Sequence, residues 1–129
     1  MTSAHADDDR LGGRLPLLDP SQLDPEQARL REQVTDTRGA VAAEAGFEMV
    51  LPDGRLIGPF SSFLYVPAIG QALREWAAAI RGYDLPADAQ QVAILTVGAA
   101  WRSDYEVYAH TAEARHAGVP EASIQAILA

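Results

Sequence analysis

The chain has 129 residues, 48% of them hydrophobic, a formal charge of −8 and no cysteine. That length suits one domain with its own core, and the missing thiols exclude disulfides, Cys-ligated zinc and thiol nucleophiles within it. The acidic balance argues against nucleic acid, which needs clustered Lys and Arg; no apolar run nears the roughly 20 residues that span a bilayer, and no basic start with an apolar core marks a signal peptide.

The expectation is therefore a cytoplasmic protein with no membrane or nucleic-acid partner. Residues 1–14, with His5 and the run Asp7-Asp8-Asp9, read as a disordered acidic tail. Residues 15–129 read as one helical domain. "RLPLLDPSQL" is an extended arm carrying Leu15, Leu17, Leu18 and Leu23, kept out of a helix by Pro16 and Pro20. Asp24-Pro25-Glu26-Gln27 is a helix start, with Asp as cap, Pro in the first turn and Gln27 placed to reach back. That helix runs to Ala45 and stops at Gly46; Gly39 weakens it by about 1 kcal/mol relative to Ala.

"LPDGRLIGPF" is a turn-rich connection, followed by a short helical piece over Phe60 to Tyr65. Pro67 opens the next helix. Its Ile69, Leu73, Trp76, Ile80 and Tyr83 recur at helical steps as one apolar stripe ending near Gly82. Pro86 starts another helix, apolar almost all round from Val92 to Trp101, as expected of a helix at the middle of a bundle or at a subunit interface. Ser103 to Ala117 forms the next, ended by Gly118, and Pro120 opens the last, with Ile124, Ile127 and Leu128 apolar. Ala129 has no capping residue after it, so the ending reads as cut off. The expectation is an all-α bundle of about five helices.

The chemistry-bearing stretch is "WRSDYEVYAH". Ser103, Glu106 and His110 share one helix face, and two readings use that geometry. Ser103-Asp104-Tyr105-Glu106 matches a capping box, with His110 pairing at the surface. Alternatively, Glu106 holds and tunes the His110 imidazole as a general acid or base. Glu113-x-x-His116 has a di-iron spacing, but such sites need a second motif and further glutamates on other helices, so no metal is expected. No phosphate loop or serine-hydrolase elbow is present, and Tyr105 and Tyr108 read first as packing aromatics.

"LPADAQQVAILTVGAAWRSDYEVYAHTAEARHAGVPEASIQAI", and more loosely "DGRLIGPFSSFLYVPAIGQALREWAAAIR", resembles the carboxymuconolactone decarboxylase family, which includes the alkylhydroperoxidase D-like proteins. The resemblance implies an all-helical fold assembling through apolar helices as trimers or hexamers, with at least one more helix beyond Ala129. It also implies a site on the helix bearing Glu106 and His110. Peroxidase members carry Cys-x-x-Cys, three residues and His; Ser103 and Glu106 stand where those cysteines would be, and disulfide-based peroxide chemistry cannot run without thiols. Relatives often place glutamate where Gln91 stands, in a proton relay. The family label of peroxiredoxin activity is thus disfavoured for a cysteine-free, decarboxylase-type branch. The expected activity is cofactor-free acid–base chemistry on a small lactone or unsaturated acid. His110 protonates carbon, Glu106 orients it, and Trp101, Arg102, Ser103, Tyr105 and Gln91 line the substrate site; Arg102 and Arg55 are candidates to attract an anion. The alternative expectation is a non-catalytic or truncated oligomer-forming relative.

Overall fold

The computed structural model describes residues 15–129; the expected acidic tail, with His5, lies outside them. Six α-helices follow a single 3-10 turn at Pro20–Gln22: α1 Pro25–Ala45, α2 Pro59–Phe63, α3 Pro67–Arg81, α4 Ala87–Ala100, α5 Asp104–His116 and α6 Glu121–Leu128. Among the described residues no strand forms. An isolated antiparallel bridge pairs Val50 with Leu56 across the Pro52-Asp53-Gly54 turn. The all-α expectation holds, and α2 is the short helical piece expected over Phe60 to Tyr65.

The helix boundaries follow from local chemistry. At the start of α1, Asp24 Oδ1 accepts from the Glu26 and Gln27 amides, while Gln27 Oε1 accepts from the Asp24 amide at 2.9 Å. Three otherwise orphaned donors are thereby satisfied. Helices α1, α4 and α5 all end in the same six-residue closure. Phe47 N donates to Ala42 O, Ser103 N to Gly98 O, and Val119 N to Ala114 O, at 3.0, 2.9 and 2.9 Å. The residue before each donor sits in the left-handed region. Gly46 and Gly118 do so without penalty, but the middle closure uses Arg102 at φ 53°, a conformation that costs an L-residue about 1–2 kcal/mol.

The described chain falls into two compact units, one ending at Ala40 and resuming over Met49–Ile80, the other Val41–Glu48 with Arg81–Ala129. In the first, Leu30, Val34, Leu56, Ile57 and Leu64 are buried. Polar ties anchor its loops: Arg31 donates twice to Gly54 O, Gln27 Nε2 donates to Leu64 O, and Tyr65 OH donates to Pro16 O. The arm expected to be wholly extended contains the turn Pro20–Gln22, capped by Asp19, and buries Leu17 while leaving Leu15 exposed. Gly70 on α3 is buried where a Cβ would lie 2.7 Å from Phe63 Cβ. Another face of α3 carries the apolar stripe: Ile69, Leu73, Trp76 and Ile80 are exposed, Trp76 at 65%, and Tyr83, beyond the end of the helix, is exposed too.

In the second unit Leu95 of α4, Ala114 of α5, Val119 and Ile124 of α6 form the core, with Ile127 and Leu128 against it. Of the two placements expected for α4, the middle of a bundle or a subunit interface, burial on all sides is not met within its own chain. Leu95 and Gly98 are buried, but Val92, Val97 and Trp101 are exposed. No helix of the described residues is long and apolar enough to cross a membrane.

Candidate active site

Helix α5 begins after Ser103, whose extended backbone makes it the N-cap, yet no side-chain capping bond forms there. The boundary implied by the capping box is right and its bonds are not, because the Glu106 carboxylate turns forward instead of back. Its Oε2 lies 3.2 Å from His110 Nε2, one helical turn on. Glu106 can approach α4 closely because Gly98 faces it: a Cβ on Gly98 would stand 2.9 Å from Glu106 Cβ. The helices are pinned together at the position that carries the carboxylate.

The other ring nitrogen is also engaged. His110 Nδ1 lies 2.7 Å from Gln91 Oε1, and Gln91 Nε2 donates to Glu113 Oε2 at 3.0 Å. Glu113 and Gln91 are both 8% exposed. The result is a continuous row from Glu106 through His110 and Gln91 to Glu113, crossing from α5 to α4 and back. The Glu106 carboxyl is held below the ordinary carboxylate range, chiefly by its hydrogen bond with His110 and further by attraction to the ring; burial pushes the other way.

Beside this row lies an open hollow of about 400 Å³. Ile94, Val97 and Gly98 of α4 and Trp101 at its C-cap wall it, and Ser103 and Glu106 supply its polar atoms. Glu106 reaches the hollow, whereas His110 is not among the lining residues and stands behind it. The expected site residues thus separate. Glu106, His110 and Gln91 are brought together, and Trp101 and Ser103 line the hollow. Arg102 and Tyr105 do not line it: Arg102 occupies the strained closure, and Tyr105 packs tilted against Tyr108 at 6.3 Å. Tyr108 in turn meets Phe47 edge-on and accepts the Glu48 amide hydrogen on its hydroxyl. Arg55 belongs to the other unit, where it pairs with Asp53 at 2.7 Å.

Glu113 was read only as half of a Glu-x-x-His pair. Its actual partner is Gln91, while His116 is exposed. The available signal was its spacing, seven residues after Glu106 and three after His110, which keeps all three on one helix face. Among the described residues no group of three or more His, Asp or Glu side chains is arranged to hold a metal ion.

Chemically, the row supplies a carboxylate at the wall of an apolar space and an imidazole to exchange a proton with it. Residues 67–129 match the carboxymuconolactone decarboxylase family. No curated protein and no solved structure shows a significant match to the chain.

Proposed function

Through residues 67–129 the chain belongs to the carboxymuconolactone decarboxylase family, and we propose that it is a cofactor-free acid–base enzyme acting on a small, largely apolar carbonyl compound such as a lactone. One observation carries this reading: the Glu106 carboxylate belongs at once to the wall of the hollow and to a 3.2 Å contact with His110 Nε2. A group with that double exposure meets a substrate atom on one side and a proton reservoir on the other.

The roles differ from those expected of the pair. Glu106, the member reaching the hollow, exchanges the proton with the substrate. His110 behind it holds the alternative proton site, and Gln91 and Glu113 hold the ring. In a decarboxylation the bond to the carboxylate carbon breaks, carbon dioxide leaves, and the electron pair passes into the conjugated carbonyl as an enolate. Glu106 then delivers to the enolate carbon the proton it draws from His110, and solvent restores that proton. Positioned acid–base groups of this kind contribute about 10²–10⁴-fold.

The lining contains no cation, so the apolar body of the substrate occupies the hollow and any carboxylate stays at its open mouth in water. Trp101 and Val97 provide the flat apolar wall. A panel of small lactones and unsaturated acids, each with its neutral methyl ester, tests this by following loss of conjugated-carbonyl absorbance and release of carbon dioxide. Glu106→Gln and His110→Ala each lower turnover by about 10²-fold or more while the helical circular-dichroism signal persists. Unchanged turnover in both variants rejects the reading.

A second reading has its own observation. The exposed stripe Ile69, Leu73, Trp76 and Ile80 on α3 is an apolar face of the kind that protein partners cover, and it supports a homo-oligomer, trimeric or hexameric, whose main role is assembly. Analytical ultracentrifugation of the wild type and Trp76→Glu separates the two. A closed oligomer that dissolves in the variant, together with no turnover on the panel, favours assembly. Peroxidase activity is disfavoured because this chain holds no thiol.

A further inference from the structure

The proton chemistry above uses Glu106 and His110 but leaves unexplained a carboxylate buried behind them. Glu113 is 8% exposed. Its Oε2 lies 3.9 Å from His110 Nδ1, too far for a hydrogen bond, so it reaches the ring through Gln91.

A primary amide has two unlike ends, one donating and one accepting. As a carboxylate, Glu113 only accepts. It therefore requires the NH2 end of Gln91, which donates to it at 3.0 Å; the reverse orientation would set two acceptors against each other in a buried place, which is costly. With that end committed, Gln91 Oε1 must face His110 Nδ1 at 2.7 Å. An oxygen there demands a hydrogen on Nδ1. Nε2, 3.2 Å from Glu106, then shares one proton with that carboxyl: either the ring holds it and donates to the carboxylate, or the carboxyl holds it and donates to a bare Nε2.

We propose that Glu113 is a positioning residue: acting through Gln91, it locks His110 in the Nδ1–H form, so that Nε2 alone trades a proton with Glu106. The same logic explains why an amide and not a carboxylate stands at position 91. A glutamate there would oppose Glu113 directly. Moving the carboxylate from one position to the other keeps the donor–acceptor order intact, because the amide end would then donate from position 113 and a carboxylate oxygen would still accept from Nδ1.

This inference rests on the acid–base reading for its purpose, but its test needs no substrate. Nitrogen-15 labelled histidine in the full chain is examined by long-range proton–nitrogen correlation at near-neutral pH. His110 is assigned by the signals lost in His110→Ala. The wild type shows a protonated-type Nδ1, with Nε2 between the protonated and bare types because it shares its proton with Glu106. Glu113→Gln frees the Gln91 amide to turn, and Nδ1 loses its protonated-type shift. The double variant Gln91→Glu/Glu113→Gln restores the wild-type pattern. A wild-type ring bare at Nδ1 overturns the proposal without any variant, as does a Glu113→Gln spectrum unchanged from wild type. If the lock is found but His110→Ala keeps its turnover, only the acid–base reading falls. If the lock is absent while turnover still needs His110, only the inference falls.

Discussion

Gly98→Ala isolates the packing that positions Glu106. By helix propensity alone the change stabilises α4 by about 0.8–1 kcal/mol. The structure opposes it: the new Cβ stands 2.9 Å from Glu106 Cβ and 3.7 Å from Glu106 C and Val107 N, where carbon pairs rest at about 3.5–4.0 Å. Glu106 Cβ is fixed to the first turn of α5 and cannot swing aside as a long side-chain end could, so the helices must separate. Overpacking of this kind costs about 1–3 kcal/mol. The net expectation is a loss of about 1 kcal/mol, or roughly 4 °C in melting temperature for a chain of this size. Gly39→Ala is the control. Gly39 is also inside a helix, α1, but a Cβ there meets nothing within 4 Å, so the variant gains the propensity term, about 0.5–1 kcal/mol. Urea and thermal unfolding of both variants measure the pair. Equal stabilisation by the two alanines would refute the close approach of α4 to Glu106. The clash also stretches bonds in a defined order. Glu106, His110 and Glu113 move together on α5, while Gln91 stays on α4, so the Gln91 contacts lengthen first.

Four other outcomes follow from single observations. Arg102→Gly relieves the left-handed closure after α4; about 1–2 kcal/mol of strain, less the entropy glycine adds to the unfolded chain, leaves a gain of about 0.5–1 kcal/mol in chemical denaturation. Thr111 carries a buried hydroxyl oxygen with no hydrogen-bond partner, so Thr111→Val removes an unmet group at constant shape and raises the melting temperature, by an equivalent of about 1 kcal/mol. Glu121 is held at about 2, first by its hydrogen bonds with Arg115 and then by that with Gln125; in Arg115→Ala its carboxyl titrates higher by carbon-13 NMR. A depressed carboxyl stabilises the fold above its unfolded value and loses that contribution as pH falls to its folded one, so the variant flattens the acid limb of stability between the ordinary glutamate range and about 2. In His110→Ala the influence left on Glu106 is burial, which raises it; its carboxyl should titrate above the ordinary range, and a value still below it would show that His110 is not the cause of the depression.

Much of the helical layout was legible in punctuation. Pro67, Pro86 and Pro120 mark helix starts, and Gly46, Gly82 and Gly118 lie at or just beyond helix ends. These residues act within one turn of themselves, so spacing along the chain captures them. The pair Glu106 and His110 was legible for the same reason, since four residues along a helix fix a neighbour. What spacing could not supply was direction. A glutamate three positions after a cap can turn back to the cap or forward to a histidine, and both fit the string Ser103-Asp104-Tyr105-Glu106. The choice depends on Gly98, which lets α4 come close, and on what already occupies the ring's far nitrogen.

The α3 stripe and the α4 surface show a different limit. Period 3.6 says that one face is apolar; it does not say whether the chain itself covers that face. In α3 the side that meets its own unit is marked by the buried Gly70 and the half-buried Arg74, the latter bonded to Gln33, while Trp76 and Ile80 face outward. Here a glycine and an arginine mark the inside and a tryptophan the outside, the reverse of the hydrophobic rule. Such an inversion follows where close backbone approach, and not apolar burial, decides the inner face. Gln91 and Glu113 show the same limit at the site. They are 22 residues apart and polar, and the sequence reading places Gln91 at the substrate site without linking it to Glu113. They are buried because each completes the other's hydrogen bonding, a condition that exists only after α4 and α5 have docked. The chemistry of the site is thus set by a donor–acceptor order across two helices, in which an amide at position 91 has meaning only beside a carboxylate at position 113.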